Sequence, residues 1–338
     1  MFVMKPPMRK LSNVWLSCVL GLTVVACGGE EASTDDDNGG NTGNETTPED
    51  YSQRAGYVFD HIVVPTSDEQ AKSLALDIDG NGTDDNALGN VISTVMSFSS
   101  DTDVQGKLDE SVAEGDVILI ANLSYESFQN SDGLMHLFEG ENPSNTPCDG
   151  ASCGKHLDGS TGFDISAASP RDNSIEGLIS AGTFRGSHGK VTIPLPLGDT
   201  VTTLNVIEAA TVVTVSETDM FDGIIGGGIT KDEIDNKLLP ALASMIQDST
   251  ADECTGTAPM CCDEGSSGAT IMSIFDENGD CSVTAGELQN NALLQNLLAP
   301  DLDLLDASGN INPGDAGELD SLSLGIGFTA IGARFEMP

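Results

Sequence analysis

The chain has 338 residues, enough for one large domain or two modest ones with buried cores. Lys and Arg number 13 against 54 Asp and Glu, which gives a formal net charge of −41 at pH 7. Because phosphate neutralisation needs a basic surface, this balance argues against a nucleic-acid partner. It favours divalent cations or basic proteins as ligands, but an acidic surface also serves solubility alone.

The first 26 residues have the pattern of a cleaved export signal. Lys5, Arg9 and Lys10 form a positive region, and the apolar run 11–26 that follows is too short to span a bilayer comfortably. The run ends Leu-Thr-Val-Val-Ala-Cys27, which resembles the lipobox of bacterial lipoproteins. That resemblance implies a diacylglyceryl group, with fatty acids such as palmitate, on Cys27. An ordinary signal peptide with a coincidental Cys is the alternative.

The segment 27–54 is expected to be a disordered tether. Residues 30–50 are acidic and polar and contain no aliphatic residue larger than Ala, so they cannot bury a core. A domain held this way would lie in the cell envelope on the non-cytoplasmic side, at the outer membrane or the cell surface.

Strand patterns begin after the tether. Apolar or β-branched runs bounded by Gly, Asp or Pro predict strands at 57–64, 116–124, 178–184, 190–196 and 209–215. Helices are expected at 86–98 and 104–113.

The segment 77–88, named loop A, has oxygen-bearing residues at the spacing of a calcium loop. Calcium takes six to eight oxygens, and a twelve-residue loop supplies them from positions 1, 3, 5, 7, 9 and 12. The first five positions carry Asp77, Asp79, Asn81, the Thr83 carbonyl and Asp85. Loop A resembles the loops of dockerins and thrombospondin type 3 repeats, but position 12 is Leu88. We expect weaker binding or an oxygen from elsewhere; an Asx-rich turn is the alternative.

Six cysteines follow the anchor, and an even number in an exported chain favours disulfides. They are Cys148, Cys153, Cys254, Cys261, Cys262 and Cys281. The first two flank a short loop and are expected to pair. Cys261 and Cys262 are adjacent, so one should reach Cys254 and the other Cys281. Zinc is a weaker alternative, because the chain has neither Cys-x-x-Cys pairs nor a nearby His.

A helical pattern replaces the strands near residue 230. Thr230 begins a capping box, and Pro240 should kink or divide the helix that follows. The glycine run 226–228 is expected to be a flexible approach to this helix. A further helix is expected at 287–298, and alternation at 322–330 predicts a last strand.

The segment 276–287, named loop B, is the strongest candidate calcium loop. Its oxygen-bearing positions are Asp276, Asn278, Asp280, the Ser282 carbonyl, Thr284 through water and Glu287 as the bidentate carboxylate. This resembles the EF-hand family, which implies that Val283 at position 8 packs inward. The departure is position 6, normally Gly, where Cys281 should cost ~1–2 kcal/mol in the left-handed conformation. A disulfide could hold that turn; a coincidental acidic turn is the alternative.

A third segment, loop C (306–318), has oxygen-bearing residues at its first four ligand positions, but Gly317 at position 12. We expect a degenerate loop that pairs with loop B and does not itself bind calcium. The ordered set of LDIDGNGTDDNALG, GIIGGGIT and LGIGFTAIGARF also resembles a group of uncharacterised lipoproteins, which implies no activity.

These patterns predict an α+β fold. A β-rich, sandwich-like domain (55–218 plus 319–338) would contain a helical, disulfide-stapled, EF-hand-like insertion (219–318) before the last strand.

The expected function is a lipid-anchored protein that binds Ca²⁺, as a structural ion in a binding or structural module of the cell envelope. Its expected partners are the membrane, calcium and a protein. No His-Glu-x-x-His, P-loop or Gly-x-Ser-x-Gly is present, so we expect no enzyme, and 186–189 is interpreted as a hairpin turn. The alternatives are a calcium-stabilised envelope hydrolase and a dockerin-like docking element at 276–298.

Overall fold

Antiparallel strands make up most of the folded part of the chain. The computed structural model describes residues 51–98, 103–148, 153–197, 200–313 and 318–337, all within the unit Glu45–Pro338. The strands in these ranges are β1 (Gln53–Val63), β2 (Leu119–Tyr125), β3 (Asn130–Glu141), β4 (Asp164–Ile165), β5 (Ser174–Ser180), β6 (Thr183–Leu197), β7 (Thr200–Val215), β8 (Asp219–Thr230) and β9 (Ser321–Gly332).

The strands close into a barrel. Their hydrogen-bonded order is β2-β1-β9-β8-β7-β6-β5-β3, and β3 pairs back onto β2, so eight antiparallel strands form a ring. The short strand β4 pairs only with the end of β3 and is not part of the ring. The sandwich-like domain expected from the sequence is therefore wrong. Period-two alternation is common to both architectures, and only the pairing between strands distant in the chain, such as Tyr57 of β1 opposite Gly332 of β9, distinguishes them.

The barrel interior is filled by apolar side chains. Tyr57 and Phe59 of β1 are at most 1% exposed, and the Phe59 ring stacks on Phe328 of β9 at a centroid distance of 4.5 Å. The Tyr57 hydroxyl donates to the Ser216 carbonyl at 2.5 Å, so its one buried polar atom has a partner. Burial raises the pKa of this hydroxyl well above its ordinary value. The interior is thus a packed core rather than a channel.

The glycine run near residue 226 forms part of β8, contrary to the flexible approach expected from the sequence. Gly226 lies opposite Gly325 of β9, and Ile225 pairs with Thr211 of β7, so β8 is a central strand. A Cβ on Gly223 would stand 2.6 Å from the ring of Phe328. The glycines therefore make room for neighbouring side chains, which pattern analysis of one segment cannot detect.

Helices account for only about a quarter of the structure. They are α1 (Asp68–Ser73), α2 (Ala87–Phe98), α3 (Val104–Glu114), α4 (Lys231–Glu233), α5 (Leu239–Thr250), α6 (Ser267–Phe275), α7 (Ala285–Asn290) and α8 (Ala292–Leu297), with a π-helical turn (Ile234–Leu238) between α4 and α5. Among these described helices, none combines the length and the apolar character needed to cross a bilayer.

The predicted EF-hand-like helical insertion is also wrong as a fold description. Leu242 of α5, Phe275 of α6 and Leu288 of α7 belong to the same buried cluster as the barrel interior. The helices therefore share the barrel's core. Pro240 falls at the start of α5, after the π-helical turn, and so confirms the predicted division of that helix. The predicted helix 287–298 is split at Asn291, whose side chain caps α8.

Two predicted features of the strands need correction. The predicted strand 178–184 is a hairpin, in which Ala181 and Gly182 adopt φ of 49° and 77° between β5 and β6. The predicted turn 186–189 lies inside β6, where the pairing shifts register. His188 there has φ of 56°, and its Nδ1 lies 2.6 Å from Oε2 of the buried Glu208. Glycine-rich segments occur both in β-bulges and in hairpin turns that have positive φ, so the sequence does not separate the two.

Replacing Phe328 by Ala should lower the free energy of unfolding by about 3–5 kcal/mol, because it removes a stacked ring from a closed interior. The measurement is urea unfolding followed by circular dichroism. Leu178→Ala is the matched control: that side chain is 62% exposed and its loss should change the free energy by less than about 0.5 kcal/mol. Equal effects from the two variants would contradict the interior position of Phe328.

Candidate metal centres

Loop B is folded around its first carboxylate. Asp276 Oδ1 accepts from the N–H of Gly279 at 2.8 Å, and Oδ2 accepts from the N–H of Cys281 at 2.9 Å. Asp280 Oδ1 accepts from the N–H of Ser282 at 2.9 Å. Carboxylates at positions 1 and 5 therefore point to the backbone of their own loop, as a loop that wraps an ion requires.

Position 6 of loop B has the strained backbone expected of it. Cys281 adopts φ of 75°, the left-handed region that Gly usually occupies, and forms a disulfide with Cys261. The cross-link joins this turn to the segment before α6. It supplies the restraint that the sequence predicted for a non-glycine residue at this position.

The end of loop B begins α7. Glu287 Oε2 accepts from the N–H and the hydroxyl of Thr284 at 2.9 and 2.8 Å, which makes a capping box. Its Oε1 accepts from the N–H of Asn278 at 3.3 Å. Val283 is 6% exposed, and its N–H donates to Oε1 of Gln247 on α5 at 2.9 Å. This contact fixes loop B on α5, and the inward position predicted for Val283 is confirmed.

Loop A has the same hydrogen-bond pattern as loop B. Asp77 at position 1 accepts from the N–H of Gly82 at position 6, at 3.1 Å. Asn81 at position 5 accepts from the N–H of Thr83 at position 7, at 2.7 Å. Asp79 Oδ1 accepts from the N–H of Asn81 at 3.1 Å, and Gly82 has φ of 87°. The two loops thus share the 6-to-1 and 7-to-5 hydrogen bonds, although their sequences differ.

Asp85 at position 9 of loop A has an uncompensated buried oxygen. Its Oδ2 is inaccessible to solvent and has no hydrogen-bond partner among the described residues. Burial raises the pKa of Asp85 from 3.8 to about 6, and carboxylates add to the shift, first Asp301 and then Asp79 and Asp77. Among the described residues, several negative charges therefore act on a poorly solvated carboxylate. A bound cation would offset their mutual repulsion.

Asp301 is the residue of this site that sequence patterns did not assign to loop A. It precedes loop C in the chain and lies outside the twelve-residue spacing of loop A. Asp301 accepts from the N–H of Ser323 at 2.8 Å and from its hydroxyl at 2.5 Å. The same hydroxyl accepts from the N–H of Ala87, just beyond Asp85, at 2.6 Å. Ser323 of β9 therefore connects Asp301 to the end of loop A. No sequence pattern within either segment indicates this contact.

Loop C forms a self-contained turn in its described part. Asp306 Oδ1 accepts from the N–H groups of Ser308 and Asn310 at 2.8 and 2.9 Å. These hydrogen bonds, that from Asn310 foremost, lower the pKa of Asp306. Leu304, just before loop C, belongs to the same buried cluster as Ile78 of loop A. The start of loop C therefore lies near loop A, whereas the sequence predicted a pairing with loop B. Residues 314–317 of loop C lie outside the described residues.

The carboxylates of loops A and B do not form a preassembled cage. Within the described ranges, no group of three or more His, Cys, Asp or Glu side chains is arranged to hold a metal ion. Calcium loops also use amide and main-chain carbonyl oxygens, here from Asn81, Asn278 and positions 7 of both loops. The fit of the residues to calcium therefore rests on the shared loop pattern and on the buried oxygen of Asp85.

The six cysteines of the described residues all form disulfides. Cys148 pairs with Cys153, as expected. Cys254 pairs with Cys262 and Cys261 with Cys281, which selects one of the two arrangements that the sequence left open. These sulfurs have no free thiolate to offer to zinc. Cys27 lies outside the described residues.

No family model, curated protein or solved structure matches the chain. The resemblance to a group of uncharacterised lipoproteins therefore stays a prediction.

The pH dependence of stability should report the environment of Asp85. Because the fold disfavours its ionised form, its contribution to stability is present below the ordinary pKa of 3.8 and is lost as the pH rises through about 6. In EDTA, Asp85→Asn should raise the free energy of unfolding at neutral pH by ~1–2 kcal/mol, allowing for partial solvent screening.

Urea unfolding of both proteins across this pH range measures the difference. The control is Asp84→Asn, since Asp84 is an exposed neighbour whose charge raises the pKa of Asp85 least among the four carboxylates that act on it, so its loss should change the pH profile much less. An identical pH profile for the wild type and Asp85→Asn would show that the carboxylate is well solvated.

Proposed function

We propose that this protein is a lipid-anchored, calcium-binding protein of the bacterial cell envelope, in which calcium is a structural ion. The observation that carries the proposal is the buried Oδ2 of Asp85, which has only carboxylates among the charged groups that shift its pKa. An uncompensated buried carboxylate costs free energy, and a divalent cation supplies the missing charge.

In loop A, the ion would take oxygens from Asp77, Asp79, Asn81, the Thr83 carbonyl and Asp85. Leu88 at position 12 is fully buried in the core and offers no ligand. Asp301 is the natural replacement, because its carboxylate raises the pKa of Asp85 more than those of Asp77 and Asp79 do. Calcium needs six to eight oxygens, and Asp301 brings loop A to this range.

In loop B, the ion would take oxygens from Asp276, Asn278, Asp280, the Ser282 carbonyl, Thr284 through water and Glu287. The capping box keeps Glu287 at the loop, and the Cys261–Cys281 disulfide keeps position 6 in its left-handed conformation. Oxygen ligands from carboxylates, amides and carbonyls favour calcium over zinc or copper.

The envelope location rests on the sequence and on the oxidised cysteines. Disulfides persist outside the cytoplasm, because the cytoplasm is reducing, and calcium is near millimolar only outside it. The disulfides and the calcium loops therefore both favour an exported domain. Extracellular calcium modules bind at roughly 10⁻⁴–10⁻³ M, which suits a structural ion better than a signal sensor.

Calcium titration of the purified full-length protein tests the two sites. Calorimetry should give two calcium ions with dissociation constants of roughly 10⁻⁴–10⁻³ M, together with a higher melting temperature. Asp276→Asn should remove the site in loop B. Asp301→Asn should remove or weaken the site in loop A, although Asp301 lies outside that loop.

The matched control for calcium binding is Asp306→Asn in loop C, which should keep both ions because its carboxylate serves its own turn. The proposal fails if millimolar calcium produces neither heat nor a change in melting temperature. Full binding by Asp301→Asn would leave calcium in loop A but reject its additional ligand.

Lipid attachment is tested separately in a bacterial host. Radiolabelled palmitate should enter the wild-type protein, and Cys27→Ala should abolish the label because no other residue carries the anchor. Cys18→Ala, within the export signal, should leave the label unchanged. An unlabelled wild-type protein would overturn the anchor without affecting the calcium sites.

A further inference from the structure

A second core covers part of the outer face of the barrel. Val58, Ile120 and Phe138 alternate with the inward residues of their strands and pack against Phe163. The segment 333–337 joins this cluster through Phe335 and Met337, among others. An open cavity of about 780 Å³ is lined by residues 162–165 and 334–337, among others. Its size is in the range of small-molecule sites, ~300–1,000 Å³.

Two arginines line this cavity. Arg171 and Arg334 are two of only four arginines in the described residues, in a chain with a net charge of −41. Among the described residues, neither is in a salt bridge, whereas Lys190, Lys231 and Lys237 all pair with carboxylates. Two positive charges without a carboxylate partner are thus concentrated at one cavity.

Both guanidinium groups are held by backbone carbonyls. Arg334 donates from Nε to the Ser160 carbonyl at 2.9 Å, and Arg171 donates from Nη2 to the Ser166 carbonyl at 3.3 Å. The backbone of Arg334 is also fixed, since its N–H donates to Thr161 and its carbonyl accepts from Phe163. A guanidinium has five N–H donors, so each retains donors for a ligand while its position is restrained.

The remaining lining selects the kind of ligand. Phe163, Phe335 and Met337 provide an apolar wall, which requires an apolar portion in the ligand. Two carboxylates also line the cavity: Asp164 accepts from the Asn142 amide at 3.1 Å, and Glu336 is exposed. Two cations facing these acids favour a single negative charge over a phosphate dianion.

We propose that this cavity binds a small organic carboxylate, whose carboxyl group is held by Arg171 and Arg334 and whose apolar part packs on Phe163, Phe335 and Met337. This site is independent of the calcium loops and of the lipid anchor.

The test is calorimetry on the full-length protein in a non-ionic detergent, with 3-phenylpropionate as the probe. The uncharged 3-phenylpropanamide should bind roughly tenfold more weakly, because it cannot make charge-assisted hydrogen bonds with both arginines. Arg171→Gln should also weaken binding of the carboxylate roughly tenfold. Glu336→Gln should strengthen it several-fold, since it removes an opposing charge.

The matched control is Arg185→Gln, which makes the same charge change on exposed β6 and should keep the affinity of the wild type. Melting temperatures establish that each variant is folded; Arg171 and Glu336 are both exposed, so their replacement should not disturb the core. The proposal is overturned by equal binding of acid and amide, by no binding at millimolar probe, or by equal losses in Arg171→Gln and Arg185→Gln.

Discussion

The pairing of β2 with β3 joins the two ends of the sheet, and the interior of the molecule depends on it. Without that pairing, two strand edges would expose unpaired N–H and C=O groups, and the core would open along one side. The connection between the two strands is short and is held by local contacts. Tyr125 stacks on Phe128 at a centroid distance of 4.1 Å, and the Ser131 hydroxyl donates to the Ser127 carbonyl at 2.8 Å. A local hairpin therefore completes a ring in which β9 pairs with β1 and β8 across large sequence separations.

Loop A is attached to this ring through β9. The Asn86 side chain donates to the Gly325 carbonyl and accepts from the Gly325 N–H, both at 2.9 Å. Ser323, two residues earlier on β9, connects Ala87 to Asp301. An ion held by Asp85 and Asp301 would therefore link loop A, the segment before loop C and β9. This is the arrangement expected of a structural ion, because its binding free energy adds to the stability of the barrel.

The distribution of charge gives the few cations of this chain distinct environments. Described lysines such as Lys190 and Lys237 neutralise carboxylates of the barrel and its helices. The arginines of the outer cavity instead bind backbone carbonyls and keep their charge available. In a strongly acidic chain, carboxylates that lack such partners remain for divalent cations, and arginines that lack carboxylates remain for anions.

The sequence by itself determined the features that depend on neighbours in the chain. It predicted strands such as β1 and β9, the left-handed conformation of Cys281 and the inward position of Val283. It also predicted that the adjacent cysteines pair with Cys254 and Cys281, but not which of them takes which partner. It did not predict the closed barrel, the place of the glycines in β8, or the approach of Asp301 to Asp85. Those features were decided by the tertiary structure, because strand register and side-chain contacts between distant segments leave no periodic trace in either segment. The same holds for Arg171 and Arg334, which line one cavity only because residues 333–337 pack against the outer face of the barrel.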